Sequence, residues 1–214
     1  MATLSHTPDQ VSRFGAVRAV ATRLLAFVGN LGLFAGIALL GGIGTSWYMI
    51  EMGSSLTTAK VGPWVSWSAA GTVGADPYTR ARTIRHGSLP ISGNVARTFE
   101  ARTDDTGQRL HSSCDYVIEG NALHDGWWSL SVYDDQGRLI PNAAERHSFN
   151  SSTIARSGDG SFLVSLSRDA RPGNWLPTAG AGRLSLMLTL LEVSDNFDEA
   201  AESVLPEIRK VACR

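Results

Sequence analysis

Cysteine, histidine and unbalanced charge are all scarce in this chain, and each scarcity removes a class of function. Two cysteines, Cys114 and Cys213, are too few for a four-thiolate zinc site or a disulfide-dense scaffold. His86, His111, His124 and His147 have no converging metal-ligand spacing, so no metal is expected. A formal net charge of −1 and a pI near 6.5 supply neither the basic footprint of a nucleic-acid binder nor an acidic tail. No G-x-S-x-G elbow is present, and Gly180-Ala-Gly182 lacks the third glycine and following helix of a dinucleotide site, so no cofactor is expected. Internal repeats and low-complexity segments are also missing.

Charge is absent altogether from residues 24–50, a run without Asp, Glu, Lys, Arg or His. As a helix it would reach about 40 Å, more than the roughly 30 Å hydrocarbon core of a bilayer. Buried core helices are shorter and keep a polar face, and the apolar segment of a cleavable signal peptide is shorter too. The run therefore reads as an uncleaved signal anchor, a single transmembrane helix. Arg13, Arg18 and Arg23 precede it, whereas only Lys60, offset by Glu51, follows closely. Basic residues stay on the cytoplasmic side, so residues 1–23 form a cytoplasmic basic arm. Trp47 and Tyr48 mark the outer interface. In a bacterium this places the anchor in the inner membrane and the rest of the chain in the periplasm. Gly29, Gly32 and Gly36 form a small-residue stripe that would let a second helix approach closely, although such stripes also occur by chance in spans.

Residues 51–75, rich in Gly, Ser, Thr and Ala, read as a linker. Its Trp64 and Trp67 either rest on the headgroups or pack under the domain. Residues 76–214 are expected to form one β-rich domain. Asp76-Pro77 starts a helix and Gly87 stops it. Arg80, Arg82 and Arg85 on that helix suit either an anionic envelope component or a solvated face. Beyond it the period falls to two. Cys114, Tyr116 and Ile118 share a face, as do Trp128, Leu130 and Val132, then Phe162, Val164 and Leu166, and lastly Leu184, Leu186, Leu188 and Leu190. Turn signals at residues 104–107, 134–137 and 157–160 separate these runs, with no helices between. The fold class is thus mainly β, an antiparallel sandwich or jelly-roll-like domain with short helices, one of them at residues 194–202.

The two cysteines lie on the proposed periplasmic side, where disulfides persist. A Cys114–Cys213 bridge would close a loop of about 100 residues; two separate buried thiols are the other reading. The clustered carboxylates Asp104, Asp105, Asp134, Asp135 and Asp159 all sit in expected turns. The polar constellation that stands out is Arg146, Asn142, Asn150, Asn174 and Trp175, with Trp127 nearby in sequence. A guanidinium fork, amides and a flat ring would suit a sugar or an anionic envelope component; the same residues also suit loop bracing.

The block from Trp127-Trp128 through Tyr133 and Gly137 to Pro141-Asn142, then Arg146, Phe149-Asn150-Ser151 and Asn174-Trp175-Leu176-Pro177, resembles the family catalogued as domain of unknown function 1214. Asp76-Pro77-Tyr78-Thr79-Arg80-Ala81 and Cys114-Asp115-Tyr116 resemble its small membrane-anchored bacterial members, of alphaproteobacterial type. The resemblance implies a β-rich, jelly-roll-like fold and no established activity. Larger relatives join this domain to a second one, numbered 1254, so a separately encoded protein of that type is the implied partner. The expected role is an accessory subunit of a membrane or envelope complex, without enzymatic activity. The alternative is a protein that binds or hydrolyses envelope glycan or lipid-linked sugar.

Overall fold

A computed structural model describes residues 9–67, 69–93, 95–121, 123, 126–191 and 204–214. The helix expected at residues 194–202 lies outside the described residues. The chain divides into two units, Met1–Met49 and Ile50–Arg214.

The first unit is the helix α1 (Asp9–Met52), which continues to the start of the second. It begins upstream of the apolar run, so the basic arm is helical from Asp9 onward. Its part Val20–Met52 is long and apolar enough to cross a membrane, and none of its residues is buried. The hydroxyl of Thr45 donates to the Gly41 carbonyl at 2.8 Å, which satisfies the polar side chain inside the helix.

Among the described residues, the second unit is a two-sheet sandwich with one short helix. One sheet has six strands in the order β1 (Thr58–Val61), β2 (Trp64–Trp67), β3 (Ala96–Ala101), β9 (Leu184–Leu191), β5 (Trp128–Asp134) and β6 (Ser148–Asn150). The other has four, in the order β10 (Glu207–Cys213), β4 (Cys114–Gly120), β7 (Phe162–Ser167) and β8 (Asn174–Pro177). Period-two alternation builds the core between them. Ile118, Leu130, Val164, Leu166, Leu186, Leu188 and Leu190 are all 0 % exposed. Trp128 stacks on Phe162 with centroids 5.1 Å apart, joining β5 to β7.

Two of the three expected turns form by one repeated device. Asp104 and Asp134 each accept two backbone N–H bonds through Oδ1, from Thr106 and Gln108 and from Gln136 and Arg138. Gly107 and Gly137 follow at φ 82° and 74°, where glycine carries no Cβ penalty. Cys114 and Cys213 are bridged, with Cα atoms 3.9 Å apart and facing each other in the β4–β10 register. Cys114 is buried and Cys213 exposed, so the bridge ties the edge strand β10 to its neighbour.

One expectation needs correction, and the expected antiparallel sandwich, which is the fold observed, needs one refinement. The segment 51–75 is not a plain linker: residues 58–67 form the β1–β2 hairpin, which adds to the sheet through Trp64 opposite Ala101. Trp64 is buried, with its Nε1 donating to the Pro206 carbonyl at 2.7 Å, and Trp67 lies under the Arg82 guanidinium at 4.8 Å. Both rings therefore pack within the sandwich unit. The pairing is also not wholly antiparallel, because β8 runs parallel to β7.

Candidate functional site

Asn142 and Arg146 sit in the loop between β5 and β6, Asn150 ends β6, Asn174 and Trp175 open β8, and Trp127 immediately precedes β5. Asn142 closes its own loop: Nδ2 donates to the carbonyls of Ile140 at 3.1 Å and Arg146 at 3.0 Å, and Oδ1 accepts the Arg146 N–H at 3.0 Å. Glu145 within that loop adopts φ 49°, a left-handed conformation uncommon for a side chain of its size. Asn150 accepts the N–H groups of Ser152 and Thr153 at 2.9 and 3.0 Å, forming the turn after β6. Asn174 is buried and engaged on both sides of its amide. Its Oδ1 accepts from Ala155 at 2.8 Å, and its Nδ2 donates to the carbonyls of Ala155 at 2.8 Å and Leu163 at 3.0 Å. Trp175 donates through Nε1 to the Ser167 carbonyl at 3.1 Å.

Arg146, like Trp127, stays exposed. Its Nη1 reaches the Trp175 carbonyl at 3.5 Å, and its guanidinium lies 5.7 Å from the Phe149 ring centroid. The structure thus brings Asn142, Arg146 and Trp175 together, while Asn150 and Asn174 brace the excursion between β6 and β7. Trp127 engages the chain elsewhere, accepting the Leu191 N–H at its carbonyl. Chemically, the amides hold loops and one cation faces solvent. Among the described residues no group of three His, Cys, Asp or Glu is placed to hold a metal ion.

A second constellation surrounds the helix α2 (Pro77–Arg85), the helix expected between Asp76-Pro77 and Gly87. Asp76 caps it, accepting from the Tyr78 and Thr79 N–H groups at 2.9 and 3.1 Å and from the Thr79 hydroxyl. Burial pushes the Asp76 carboxyl up, but these hydrogen bonds prevail and hold it below its ordinary value. Gly87, at φ 61°, ends the helix. Arg82 points inward and gathers three partners: the carbonyls of Ile50 at 3.3 Å and Glu51 at 2.7 Å, and the Glu100 carboxylate at 3.1 Å. The last four carbonyls of a helix lack partners within it, and α1 has no basic residue in its last turn. Arg82 supplies that missing cation. Burial lowers its pKa, against the attraction of Glu100.

Beside Arg82, Arg85 pairs with Glu51 at 2.6 Å. His86 is held below its ordinary pKa, by burial first and then by the Arg82 charge. On the opposite side of α2, a cavity of about 450 Å³ is lined chiefly by carbon, with Val73, Thr83, Ile84 and Pro90 on its walls. The three arginines were visible in the sequence as a spacing. Nothing in the sequence marked Arg82 as the buried one, because its partners come from distant stretches of the chain.

No curated protein matches the chain. Among solved structures, the VPA0106 protein from Vibrio parahaemolyticus superposes with a TM-score of 0.57 at 19 % identity, covering 99 % of this chain and 47 % of that one. An uncharacterized protein from Burkholderia cenocepacia gives a TM-score of 0.42 at 17 % identity, over 79 % of this chain and 40 % of its own. The chain thus spans about half the length of the solved structures it resembles, and the first of these likenesses concerns the fold alone. At the level of sequence family, residues 95–195, from the start of β3 through the end of β9, match the family described as Protein of unknown function (DUF1214).

Proposed function

We propose that this chain is a single-span, membrane-anchored β-sandwich of the bacterial inner membrane, with a cytoplasmic amino terminus and a periplasmic sandwich, acting as an accessory subunit of a membrane or envelope complex. The observation that carries the reading is Val20–Met52, an apolar helical stretch in which no residue is buried. In water such a surface is costly; in a bilayer it is the ordinary state. Arg18 and Arg23 before the run, and Trp47 and Tyr48 near its end at 52 % and 60 % exposure, support the orientation. The disulfide suits an oxidising compartment.

The subunit reading draws on the stripe of Gly29, Gly32 and Gly36. A Cβ added at any of them would meet nothing within 4 Å, so the backbone there is open to a second helix. The partner we favour is a separately encoded protein carrying the second domain, numbered 1254, of the larger relatives. Glycan or lipid-linked sugar binding is less favoured, because the amides of Asn142, Asn150 and Asn174 are engaged by the chain itself.

The test is gentle-detergent purification of the tagged full chain from native membranes, beside a Gly32→Leu/Gly36→Leu variant. A stoichiometric partner that is lost in the variant supports the subunit reading; a protein that purifies alone in both forms sinks it.

A further inference from the structure

Large apolar side chains exposed outside α1 are unevenly distributed. Leu56, Val73, Ile84, Leu89, Ile91 and Val95 precede the third strand, while four more are scattered over the rest of the described sandwich. Val73, Ile84 and Leu89 are 97 %, 81 % and 79 % exposed, and every residue from 84 to 91 is exposed. A fold of this size has no structural need to show so many apolar groups in one short stretch.

Two contacts make that stretch one surface. A Cβ on Gly71 would lie 2.0 Å from the Ile91 carbonyl oxygen, so the loop before α2 and the loop after it touch. Val73, Ile84 and Pro90 also line the same cavity. Between residues 69 and 99 the chain holds Arg80, Arg82, Arg85 and Arg97, and its one acid, Asp76, is engaged in capping α2; Arg82 pairs with Glu100 and Arg85 with Glu51. Arg80, though its Nη2 donates to the Val73 carbonyl at 2.7 Å, remains exposed at the rim.

The position of this surface follows from Arg82. Its hydrogen bonds to Ile50 and Glu51 hold α2 against the residues where the uncharged run ends. α2 is about 14 Å long at 1.5 Å per residue, and the headgroup layer adds roughly 5–8 Å on each side of the hydrocarbon core. We propose that this shoulder, formed by α2 and its two flanking loops, lies in the outer interface of an anionic bilayer, its apolar side chains entering the acyl boundary and Arg80 meeting lipid phosphate. Apolar residues beside arginines, next to a span, are the composition that an interface accepts. The inference rests on the anchored reading above. It makes the membrane contact double, an integral helix and a peripheral shoulder.

The test uses the full chain in vesicles of phosphatidylcholine with and without phosphatidylglycerol. Single Leu89→Cys and Ile84→Cys variants, with the native cysteines left bridged, are challenged with a membrane-impermeant maleimide; Leu139→Cys and Leu163→Cys on the sandwich body serve as controls. Labelling at residues 84 and 89 should slow about tenfold on moving from detergent into vesicles, more so with the anionic lipid, while the controls stay unchanged. Ile84→Glu/Leu89→Glu, two changes at exposed positions that leave the core intact, should restore labelling of a Val73→Cys reporter in vesicles. Equal labelling of residues 84, 89 and 139 in protein that still floats with vesicles after alkaline carbonate overturns the shoulder and leaves the anchor standing. Protein stripped from the vesicles by carbonate refutes the anchored reading instead, and the shoulder with it. Protection in native membranes but not in protein-free vesicles assigns the surface to a protein partner and overturns the lipid proposal.

Discussion

Arg82 donates from Nη1 to the carbonyl oxygen of Glu51 at 2.7 Å while Nη2 holds the Glu100 carboxylate at 3.1 Å, so within the second unit one guanidinium joins Glu51 to β3. Its side chain is 13 % exposed, and removing it leaves two carbonyls without their cation and the Glu100 carboxylate with Arg102 alone. Arg82→Ala should cost about 2–3 kcal/mol in a denaturant titration of the full chain in detergent. Arg82→Lys should recover only part of that loss, because an ammonium lacks the planar fork that reaches both sides.

Asn174 tests whether the Asn-Arg-Trp residues brace or bind. Asn174→Ala removes three hydrogen bonds from a buried site and should destabilise the sandwich by about 2–4 kcal/mol. Trp127→Ala, at a position 42 % exposed, should stay within about 0.5 kcal/mol of the parent. Similar effects of the two substitutions on the denaturation midpoint would contradict the bracing role.

The bridge between Cys114 and Cys213 spans a sequence separation of 99. In the chain-entropy model, losing a loop of that length costs about 4–5 kcal/mol. The Cys114→Ser/Cys213→Ser variant should show a midpoint lowered to match, and a thiol reductant should lower the parent's midpoint but not the variant's.

Gly71 and Gly120 fail substitution for different reasons. At Gly71 the backbone sits at φ 71° and an added Cβ would collide with the Ile91 carbonyl, so Gly71→Ala must separate the two loops flanking α2. At Gly120 an added Cβ would lie 2.4 Å from the Phe162 ring, an overpacking cost of about 1–3 kcal/mol. Hydrogen exchange should rise locally around α2 in the first variant, whereas the second should lose stability across the whole sandwich.

Asp134 is held below the ordinary carboxylate value, first by the Arg138 N–H and then, against a small burial effect, by the Arg138 side chain and the Gln136 N–H. A depressed carboxyl stabilises the fold above its unfolded value of about 4, and the contribution disappears as pH falls through the folded value. Asp104 behaves alike: burial raises it, but the Thr106 hydroxyl and the Gln108 and Thr106 N–H groups outweigh that effect. Asp134→Asn should therefore lower stability at pH 7 and converge with the parent in strong acid. A constant gap across that range would contradict the assignment.

What was legible in the sequence divides by the range of the interactions. β4, β5, β7 and β9 show themselves by alternation, since a half-buried strand repeats every two residues whatever its partner. α2 shows itself through Asp76-Pro77 and Gly87, which act within a turn or two. The hairpin β1–β2 does not, because its strands are four residues long and pass for a Gly/Ser/Thr-rich linker, and what holds them is Trp64 reaching Pro206. The loop residues around Arg146 were found as a group, but their hydrogen-bond partners were not; an Asn that binds a sugar and one that braces Ala155 have the same letter and the same neighbours. Arg82 was one of three similar arginines until the fold placed the ends of α1 and β3 beside it.

The position of β9 has a kinetic consequence. It pairs on one side with β3 and on the other with β5, so Ala96 finds its partner only in Leu191, and Trp128 in Leu190. A chain emerging from its amino terminus presents β3 and β5 with open edges throughout the synthesis of everything between them and β9. Such non-local closure slows folding and leaves strand edges available to wrong partners in the meantime. The six-stranded sheet is thus completed late, by a strand inserted into its middle.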